Sequence, residues 1–335
     1  YAFGAGSNRI SVKLERCTFI GGSVNNQHTT ESVKSGFGHG GSICFKGSTA
    51  DTDLTATVKD CVIYGAGYRE GADIYDSGSI CVQRGSVALE NTLIGHVRGN
   101  CLEVRLGTVT ATNCTFAGAA ETTGGNGYGI FQAGGSLSVY GSVIGDNALG
   151  DYHVSPGVTP ATFAYCCFAS ATSGIGNIAA DPLFGDNVYF HLASRAGRYD
   201  GGWFEGGAWT VDGEDSPAID AGPATADVGD EPQPNRHRVN IGYDAGKATA
   251  SKSNLGTPPA PESLAVYMYP YEDTTSTEAT LVGEIALGTA GSADVWLYWG
   301  ATDGGTDAGA WDSSAALGSQ SDWTLFRRRV GNMTG

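Results

Sequence analysis

The stretch Val12-Lys13-Leu14-Glu15-Arg16-Cys17-Thr18-Phe19-Ile20-Gly21 carries the pattern from which the fold can be predicted. Apolar and polar residues alternate on either side of a short corner, and this alternation is typical of β-strands. The pattern returns at residues 56–63, 87–93, 109–116, 137–143 and 161–168. The copies align Cys, Asn or Gly in one column, which contains Cys17, Cys61, Asn91, Cys114, Gly141 and Cys166. In this alignment the corners before Asn91 and Gly141 are one residue shorter than the others.

A third short apolar segment lies between successive copies. These segments are residues 43–45, 80–82, 102–104, 130–131 and 152–154. Three short strands per repeat, in repeats of unequal length, predict one turn of a parallel β-helix. A single turn cannot bury its own apolar face, so only a stack of turns is stable. We therefore expect an all-β protein whose coils occupy residues 1–175.

The composition restricts the classes of partner. The 335 residues include 52 Gly and only 16% charged residues, and 19 Lys and Arg against 35 Asp and Glu give a net charge of −16. Such a balance argues against nucleic acid or an anionic membrane surface as a partner. No apolar run is long enough to cross a bilayer, so we expect no membrane insertion. Because the chain begins without Met or a signal peptide, we expect a mature or trimmed piece of a larger protein.

The eight cysteines fall largely in repeat columns, because Cys44 and Cys81 share a second one. Cysteine is a small and readily buried residue. We therefore predict free thiols stacked inside the coils. Disulfides stay open as the alternative, since eight cysteines allow 105 pairings. The vicinal pair Cys166 and Cys167 should point to opposite faces of its strand.

The longest loops all leave the coils after the second strand of a copy, so we expect them on one edge of the stack. Insertions on one side of a solenoid often form its binding face, although polar loop residues can also be merely solvated. Candidate residues for a polysaccharide groove are Arg69, Glu70, Asp73, Arg98 and Arg105. No Asp-Asp dyad of the kind that glycoside hydrolysis requires is apparent. We expect Glu103 and Arg105 to form a surface ion pair.

The chain changes character after residue 175. Residues 181–184 read DPLF, residues 216–222 read SPAIDAG, and residues 238–242 follow the pattern R-x-N-x-G. These segments, in this order, resemble the C-terminal end of secreted bacterial proteins with a right-handed parallel β-helix. The resemblance implies that residues 176–247 close the last coils as a cap. We interpret Trp203 and Trp209 as a lid over the core, with sugar stacking as the alternative.

Residues 248–262 are rich in Pro, Ser and Thr, which predicts a semi-rigid linker. Residues 263–335 alternate again, with strands predicted at 264–269, 279–286, 293–299 and 323–329. Residues 298–306 read YWGATDGGT, which is similar to fibronectin type III-like modules attached to such β-helices. A complete sandwich needs about seven strands over about 100 residues. The module is therefore incomplete, either by truncation or because another copy supplies the missing strands.

Two acidic clusters are candidate calcium sites, because oxygen-rich turns suit this ion. The first contains Asp227, Asp230 and Glu231, and the second contains Asp303, Asp307 and Asp312. The alternative is that these residues only close turns. No other cofactor is expected.

These observations predict a structural or adhesive segment of a large extracellular surface or fibre protein. Its expected partners are other copies of itself, through strand edges of the C-terminal half-module, and extracellular polysaccharide. The alternative is a polysaccharide lyase, a glycoside hydrolase or a carbohydrate-binding module, because the resembling family includes enzymes that cleave acidic polysaccharides with calcium and a Lys or Arg base, or with clustered Asp residues.

Overall fold

A computed structural model describes residues 2–3, 9–21, 23–24, 42–47, 54–65, 67–68, 78–121, 125–170, 173–202, 206–223, 226–236, 238–254, 265–272, 278–286, 292–321 and 324–331. The chain divides into two compact units, Tyr1–Asn254 and Leu255–Gly335. Within the described ranges, regular helix is limited to a 3₁₀ turn at Ala308–Ala310. None of the helical structure there has the length and apolar character to cross a membrane.

The first unit is built from short strands. In chain order they are β1 (Ala2–Phe3), β2 (Ile10–Glu15), β3 (Thr18–Ile20), β4 (Ser23–Val24), β5 (Ile43–Lys46), β6 (Leu54–Lys59), β7 (Val62–Tyr64), β8 (Gly67–Tyr68), β9 (Gly78–Arg84), β10 (Ser86–Glu90), β11 (Leu93–Gly95), β12 (Asn100–Val104), β13 (Thr108–Thr112), β14 (Thr115–Ala117), β15 (Tyr128–Gln132), β16 (Ser136–Tyr140), β17 (Val143–Gly145), β18 (Gly150–Val154), β19 (Thr162–Ala164), β20 (Cys167–Phe168), β21 (Ile178–Ala179), β22 (Arg198–Asp200) and β23 (Ala208–Thr210).

Three parallel sheets run the length of the stack, which confirms the predicted parallel β-helix. Sheet A has the order β1-β5-β9-β12-β15-β18, sheet B has β19-β16-β13-β10-β6-β2, and sheet C has β21-β20-β17-β14-β11-β7-β3. Each coil therefore contributes one strand to each sheet in turn. The three longest connections, which follow Ile20, Tyr64 and Ala117, run from sheet C to sheet A, so they leave one edge of the stack as expected.

The in-register pairing aligns side chains into files. In sheet C, Phe19, Ile63, Ile94, Phe116 and Ile144 stack one above another. All five belong to or pack against the main core between the sheets. The file is a direct result of the sequence repeat, because parallel strands in register place equivalent positions side by side.

The corner between sheets B and C has the same length in all six coils, which corrects the predicted column. Its first residue always has a left-handed backbone: Arg16, Asp60, Asn91, Asn113, Gly141 and Tyr165, with φ between 46° and 58°. Asn91 and Gly141 therefore occupy this corner position, which Asn and Gly tolerate well. The internal column runs instead through Cys17, Cys61, Thr92, Cys114, Ser142 and Cys166.

The internal column explains why Cys, Thr and Ser replace one another. Each side chain donates a hydrogen bond to the carbonyl two residues earlier, as Cys114 Sγ does to Thr112 O at 3.3 Å and Ser142 Oγ does to Tyr140 O at 2.9 Å. Ser142 Oγ also accepts the backbone N–H of Cys114 at 3.0 Å. A thiol and a hydroxyl thus perform the same local task.

All eight cysteines are free thiols, as predicted. Burial raises the pKa of Cys114 to about 12, which keeps this thiol protonated. Cys166 belongs to the core between the sheets, whereas Cys167 packs in a separate cluster outside it. The vicinal pair therefore points to opposite faces, as expected for a regular strand.

Residues 182–254, here called the lateral segment, pack against the outer face of sheet C. Leu192, Ala218 and Ile241 form one apolar cluster with Val143 and Cys167 of the coils. Phe190 and Tyr243 form another with Leu93 and Ala117. The resemblance implied a cap that closes the last coils, but these contacts place the segment along the side of the stack.

Glycines in sheet C make this lateral packing possible. A Cβ atom on Gly95 would lie 2.7 Å from Phe190, and one on Gly145 would lie 2.5 Å from Pro182. The motifs of the segment also bind one another. Ser216 Oγ donates to Pro182 O, and Asn240 Oδ1 accepts the N–H of Asp220 at 2.9 Å.

The second unit contains antiparallel strands. They are β24 (Ala265–Glu272), β25 (Ala279–Ala286), β26 (Ser292–Trp299), β27 (Ser313–Ser321) and β28 (Thr324–Val330). The sheet orders are β24-β25-β28 and β26-β27. Four of these strands correspond to predicted ones, and β27 was missed because its sequence SSAALGSQS has few large apolar residues. Residues 255–262 of the predicted linker lie outside the described part.

Candidate functional site

A pocket of about 250 Å³ opens between sheet C and the lateral segment. The coils contribute the strand residues Thr18 and Val62, which are register partners on neighbouring strands. The polar side chains that line the pocket are those of Arg16, Asp60, His191, Tyr199, Tyr243, Asp244, Lys247 and Thr249. The pocket thus joins residues from opposite ends of the first unit, Arg16 to Thr249, to form one concave surface of polar and apolar groups.

The left-handed corners position the coil side of the pocket. Arg16 and Asp60 both have φ of 51°, so their side chains project where sheet B turns into sheet C. The next corner residue, Asn91, donates from Nδ2 to Ala245 O at 3.0 Å. Its own carbonyl accepts from Lys247 Nζ at 3.1 Å. The corner column therefore anchors the segment that forms the opposite wall.

A buried His-Asp pair forms the base of the lateral wall. His191 Nδ1 lies 2.5 Å from Asp244 Oδ2, and His191 Nε2 lies 3.0 Å from the carbonyl of Gly201. Asp244 Oδ1 accepts from Thr249 Oγ1 at 3.1 Å. The Tyr243 hydroxyl also lies 3.2 Å from Nδ1. Because the Asp244 carboxylate and the Gly201 carbonyl can only accept, the ring satisfies them best as a cation that donates from both nitrogens.

The electrostatics agree with this protonation state. Burial favours the neutral ring, but the charge of the Asp244 carboxylate outweighs it and raises the pKa of His191. Burial likewise favours a neutral Asp244, yet the charge of His191 and its hydrogen bond lower the pKa of that carboxyl. The pair is therefore an ion pair that the protein satisfies internally.

Two tyrosines give the pocket its aromatic surface. The Tyr243 hydroxyl donates to Tyr189 O at 2.8 Å, and burial raises the pKa of Tyr243 well above its usual value. The Tyr199 hydroxyl accepts the N–H of Gly207 at 2.5 Å. Both phenols are thus held in place in the pocket wall.

The cations differ in how they are held. Lys247 Nζ lies 3.5 Å from Asp60 Oδ1 and 5.4 Å from the centre of the Tyr243 ring. Arg16 is exposed, and its guanidinium has no hydrogen bond or ion pair with any residue that the structure describes. Arg16 is therefore the group most free to meet a ligand.

The arrangement suits binding better than catalysis. A general base must offer a free acceptor within hydrogen-bond distance of the substrate. Here the His191 nitrogens are both occupied, and Asp244 and Asp60 are each bound to a cation. What remains is a preformed set of donors and aromatic faces, which is typical of a ligand site.

The residues that the sequence predicted for a groove are not brought together. Arg69, Glu70 and Asp73 lie outside the described residues. Arg98 and Arg105 flank opposite ends of β12, and neither lines the pocket. Arg98 is exposed and forms a backbone bridge with Ala120.

Glu103 and Arg105 form an ion pair, but it is not a surface pair. Arg105 Nε donates to Glu103 Oε1 at 2.7 Å, while the Glu103 side chain is only 1% exposed. Glu103 Oε2 accepts the N–H of Gly78 at 3.0 Å. The pair therefore ties successive coils together, because Gly78 and Glu103 belong to neighbouring strands.

The carboxylates of the first calcium candidate do not converge on one point, because they have different surroundings and hydrogen-bond partners. Asp227 Oδ1 accepts the N–H of Gly229 at 3.0 Å. Glu231 is buried, and its Oε1 accepts the N–H groups of Asn240 and Gly246 at 2.9 Å each. Burial raises the pKa of Glu231 to about 7. Asp230 is exposed, and no hydrogen bond draws its carboxylate toward Glu231 in the described structure.

The carboxylates of the second candidate each close a turn. Asp303 Oδ1 accepts from Gly305 N at 2.8 Å, Asp307 Oδ1 from Gly309 N at 2.9 Å, and Asp312 Oδ2 from Ala301 N at 2.7 Å. Over the described ranges, no group of three or more His, Cys, Asp or Glu side chains is placed to hold a metal ion. Both calcium sites stay predictions, and the structure does not bring their carboxylates together as a set of metal ligands.

Trp209 does not form a lid over the core, because its side chain is 41% exposed. It lies on the hairpin of β22 and β23, where it pairs with Tyr199 of the pocket wall. Lys252 Nζ sits 4.1 Å from the centre of its ring. Trp203 lies outside the described residues, so sugar stacking on the tryptophans stays a prediction.

Sequence reasoning missed the pocket because its two walls are far apart in the chain. One signal pointed toward it. The strands of sheet C, such as Leu93–Gly95 and Val143–Gly145, are apolar at successive positions. Strands that are apolar on both faces are covered on both faces, so a covering segment was implied.

No protein-family model, no curated protein and no solved structure matches the chain.

Proposed function

We propose that this chain is a non-enzymatic, adhesive segment of a large extracellular surface or fibre protein, and that its pocket binds a sugar unit of an extracellular polysaccharide. The observation that carries the proposal is a preformed pocket whose acid and base groups are already paired with one another. The stacked coils would supply a rigid support and the lateral segment the second wall.

The charge of the pocket favours an acidic sugar. Arg16, Lys247 and the protonated His191 outnumber Asp60 and Asp244 in the lining, although the whole chain carries a net charge of −16. A locally positive pocket in an acidic protein attracts a carboxylate-bearing ligand. The guanidinium of Arg16, which has no partner among the described residues, can bind such a carboxylate through two parallel hydrogen bonds.

The alternative is a polysaccharide lyase or glycoside hydrolase, because the carboxylates of Asp60 and Asp244 and the side chains of Arg16 and Lys247 meet in one pocket. A hydrolase needs one carboxylic acid that is protonated at neutral pH. Asp244 does not fit that role, since its pKa is lowered. An enzyme would therefore have to break the His191–Asp244 pair on binding its substrate.

A glycan array combined with a uronate-release screen separates these functions. We expect retention of acidic oligosaccharides and no unsaturated or reducing product, with and without EDTA. Thr18→Trp should fill the pocket and abolish retention. Thr110→Trp is the matched control, because Thr110 is exposed on the outer face of sheet B. Product release that Thr18→Trp abolishes would establish an enzyme, and binding unchanged by Thr18→Trp would exclude the pocket.

We also propose that the second unit is an incomplete fibronectin type III-like module through which copies assemble. Trp296 is 56% exposed on β26, and this strand pairs with β27 in a two-stranded sheet. Small open sheets with exposed aromatic residues favour pairing with another strand. Light scattering should show oligomers that grow with concentration and weaken in Trp296→Ser. A monomer at high concentration would contradict this assembly.

A further inference from the structure

Two cysteines of sheet A occupy a position unlike that of the other thiols. Cys44 on β5 and Cys81 on β9 are direct register partners on neighbouring parallel strands. They are 3% and 0% exposed, yet they do not belong to the core between the sheets, which contains their neighbours Phe45 and Val82. Both side chains therefore point to the outer face of sheet A.

The backbone geometry of this pair suits a covalent link. Neighbouring strands lie about 4.8 Å apart, and disulfides join Cα atoms that are roughly 4.4–6.8 Å apart. Because Cys44 and Cys81 are direct register partners and share one face of sheet A, their side chains lie next to each other.

The other aligned pair provides an internal comparison. Cys17 and Cys61 are also neighbours in one column, but each of these thiols already donates to a backbone carbonyl. Cys17 Sγ donates to Glu15 O at 3.3 Å, and Cys61 Sγ donates to Lys59 O at 3.2 Å. These thiols contribute to the corner structure, and a disulfide would cost both hydrogen bonds.

We propose that Cys44 and Cys81 are a disulfide-forming pair, which closes a covalent link between successive coils when the chain folds in the presence of a small disulfide such as glutathione disulfide. The neighbouring Cys81 thiol lowers the pKa of the Cys44 thiol, which favours Cys44 as the attacking group. This inference does not depend on the pocket or its ligand.

The exchange balances in two steps. The Cys44 thiolate attacks one sulfur of the small disulfide, and the departing thiolate takes up the proton that Cys44 lost. The Cys81 thiol then loses its proton and attacks the Cys44 sulfur, which releases the second small thiol. Two cysteine thiols are oxidised, and one small disulfide is reduced to two thiols.

The test is to refold the full chain from denaturant in a buffer of reduced and oxidised glutathione, and then to alkylate free thiols under denaturing conditions. We expect six of the eight cysteines to be alkylated and a single linked peptide pair containing Cys44 and Cys81. Addition of a reductant should lower the melting temperature of this protein.

Two double variants make the assignment specific. Cys44→Ser with Cys81→Ser should yield no linked peptides and a melting temperature that the reductant does not change. Cys17→Ser with Cys61→Ser should keep the Cys44–Cys81 link. Eight alkylated cysteines in the unsubstituted chain, or a link that maps to any other pair, would overturn the proposal whether or not the variants fold.

Discussion

The coils and the lateral segment are stabilised in different ways, although they pack against each other. In the coils, equivalent positions repeat, so Cys114 and Ser142 make the same hydrogen bond in successive turns. In the lateral segment, polar side chains are held by partners that do not recur from coil to coil, such as Asp244 for His191. The difference indicates that the coils tolerate exchange within a column, whereas the lateral segment depends on individual residues.

The largest loss of stability should come from substitution of Arg198 in the lateral segment. Its side chain is 8% exposed and lies 3.0 Å from both Asp186 and Asp212. Arg198→Met leaves these carboxylates without their cation, and removal of one partner of a buried ion pair costs about 3–5 kcal/mol. Denaturant unfolding measures the loss. Arg195→Met, at a side chain that is 55% exposed, is the control and should cost less than about 1 kcal/mol.

A loss below about 1 kcal/mol in Arg198→Met would contradict the view that the lateral segment depends on single residues. The coils and the lateral segment would then tolerate substitution equally, and the proposed difference between them would not hold.

The second-largest effect is the dependence of protein stability on pH that arises from Glu231. The carboxyl titrates near 4.5 when unfolded and near 7 when folded, so the folded state keeps a proton that the unfolded state has lost. Stability therefore falls as pH rises from about 4.5 to about 7, and this interval corresponds to roughly 3 kcal/mol.

Glu231→Gln should remove this part of the pH dependence, because its side-chain oxygen can still accept from Asn240 and Gly246. The measurement is the free energy of unfolding at several pH values. Glu214→Gln changes an exposed carboxylate and should leave the profile as it is. If the stability of Glu231→Gln changed with pH as that of the unsubstituted protein does, the pKa of the Glu231 carboxyl would not be raised by folding.

The smallest loss of stability should come from exchange of a thiol for a hydroxyl in the internal column of the coils. Cys114→Ser reproduces the arrangement of Ser142, so the cost should be about 1 kcal/mol or less. Phe116→Ala, two residues away and also fully buried, should cost about 3–5 kcal/mol. If Cys114→Ser lost as much stability as Phe116→Ala, the claim that a thiol and a hydroxyl are interchangeable within the column would be refuted.

The sequence predicted the coils because their information is local and repeated. Alternation, corners and the buried thiols could all be recognised from residues 12–21 and their copies. The alignment failed only at Asn91 and Gly141, where corner residues resemble column residues. The strand β27 was missed because Ser, Ala and Gly give little alternation.

The pocket could not be predicted because it depends on contacts between distant segments. Nothing in the sequence around Asp60 indicates that Lys247 lies 3.5 Å from it. The buried Glu103–Arg105 pair shows the same limit, since spacing gave the pair but not its burial. Repetition reveals which residues stack, whereas unique contacts become visible only in three dimensions.

The central functional claim is that the pocket holds no free base, and the protonation of His191 tests it most directly. Nitrogen NMR at pH 6 should show both ring nitrogens protonated, with a titration midpoint above the usual 6.5 that falls in Asp244→Asn. A neutral ring at pH 6, with one nitrogen free and a midpoint below 6.5, would contradict the claim and favour an enzyme.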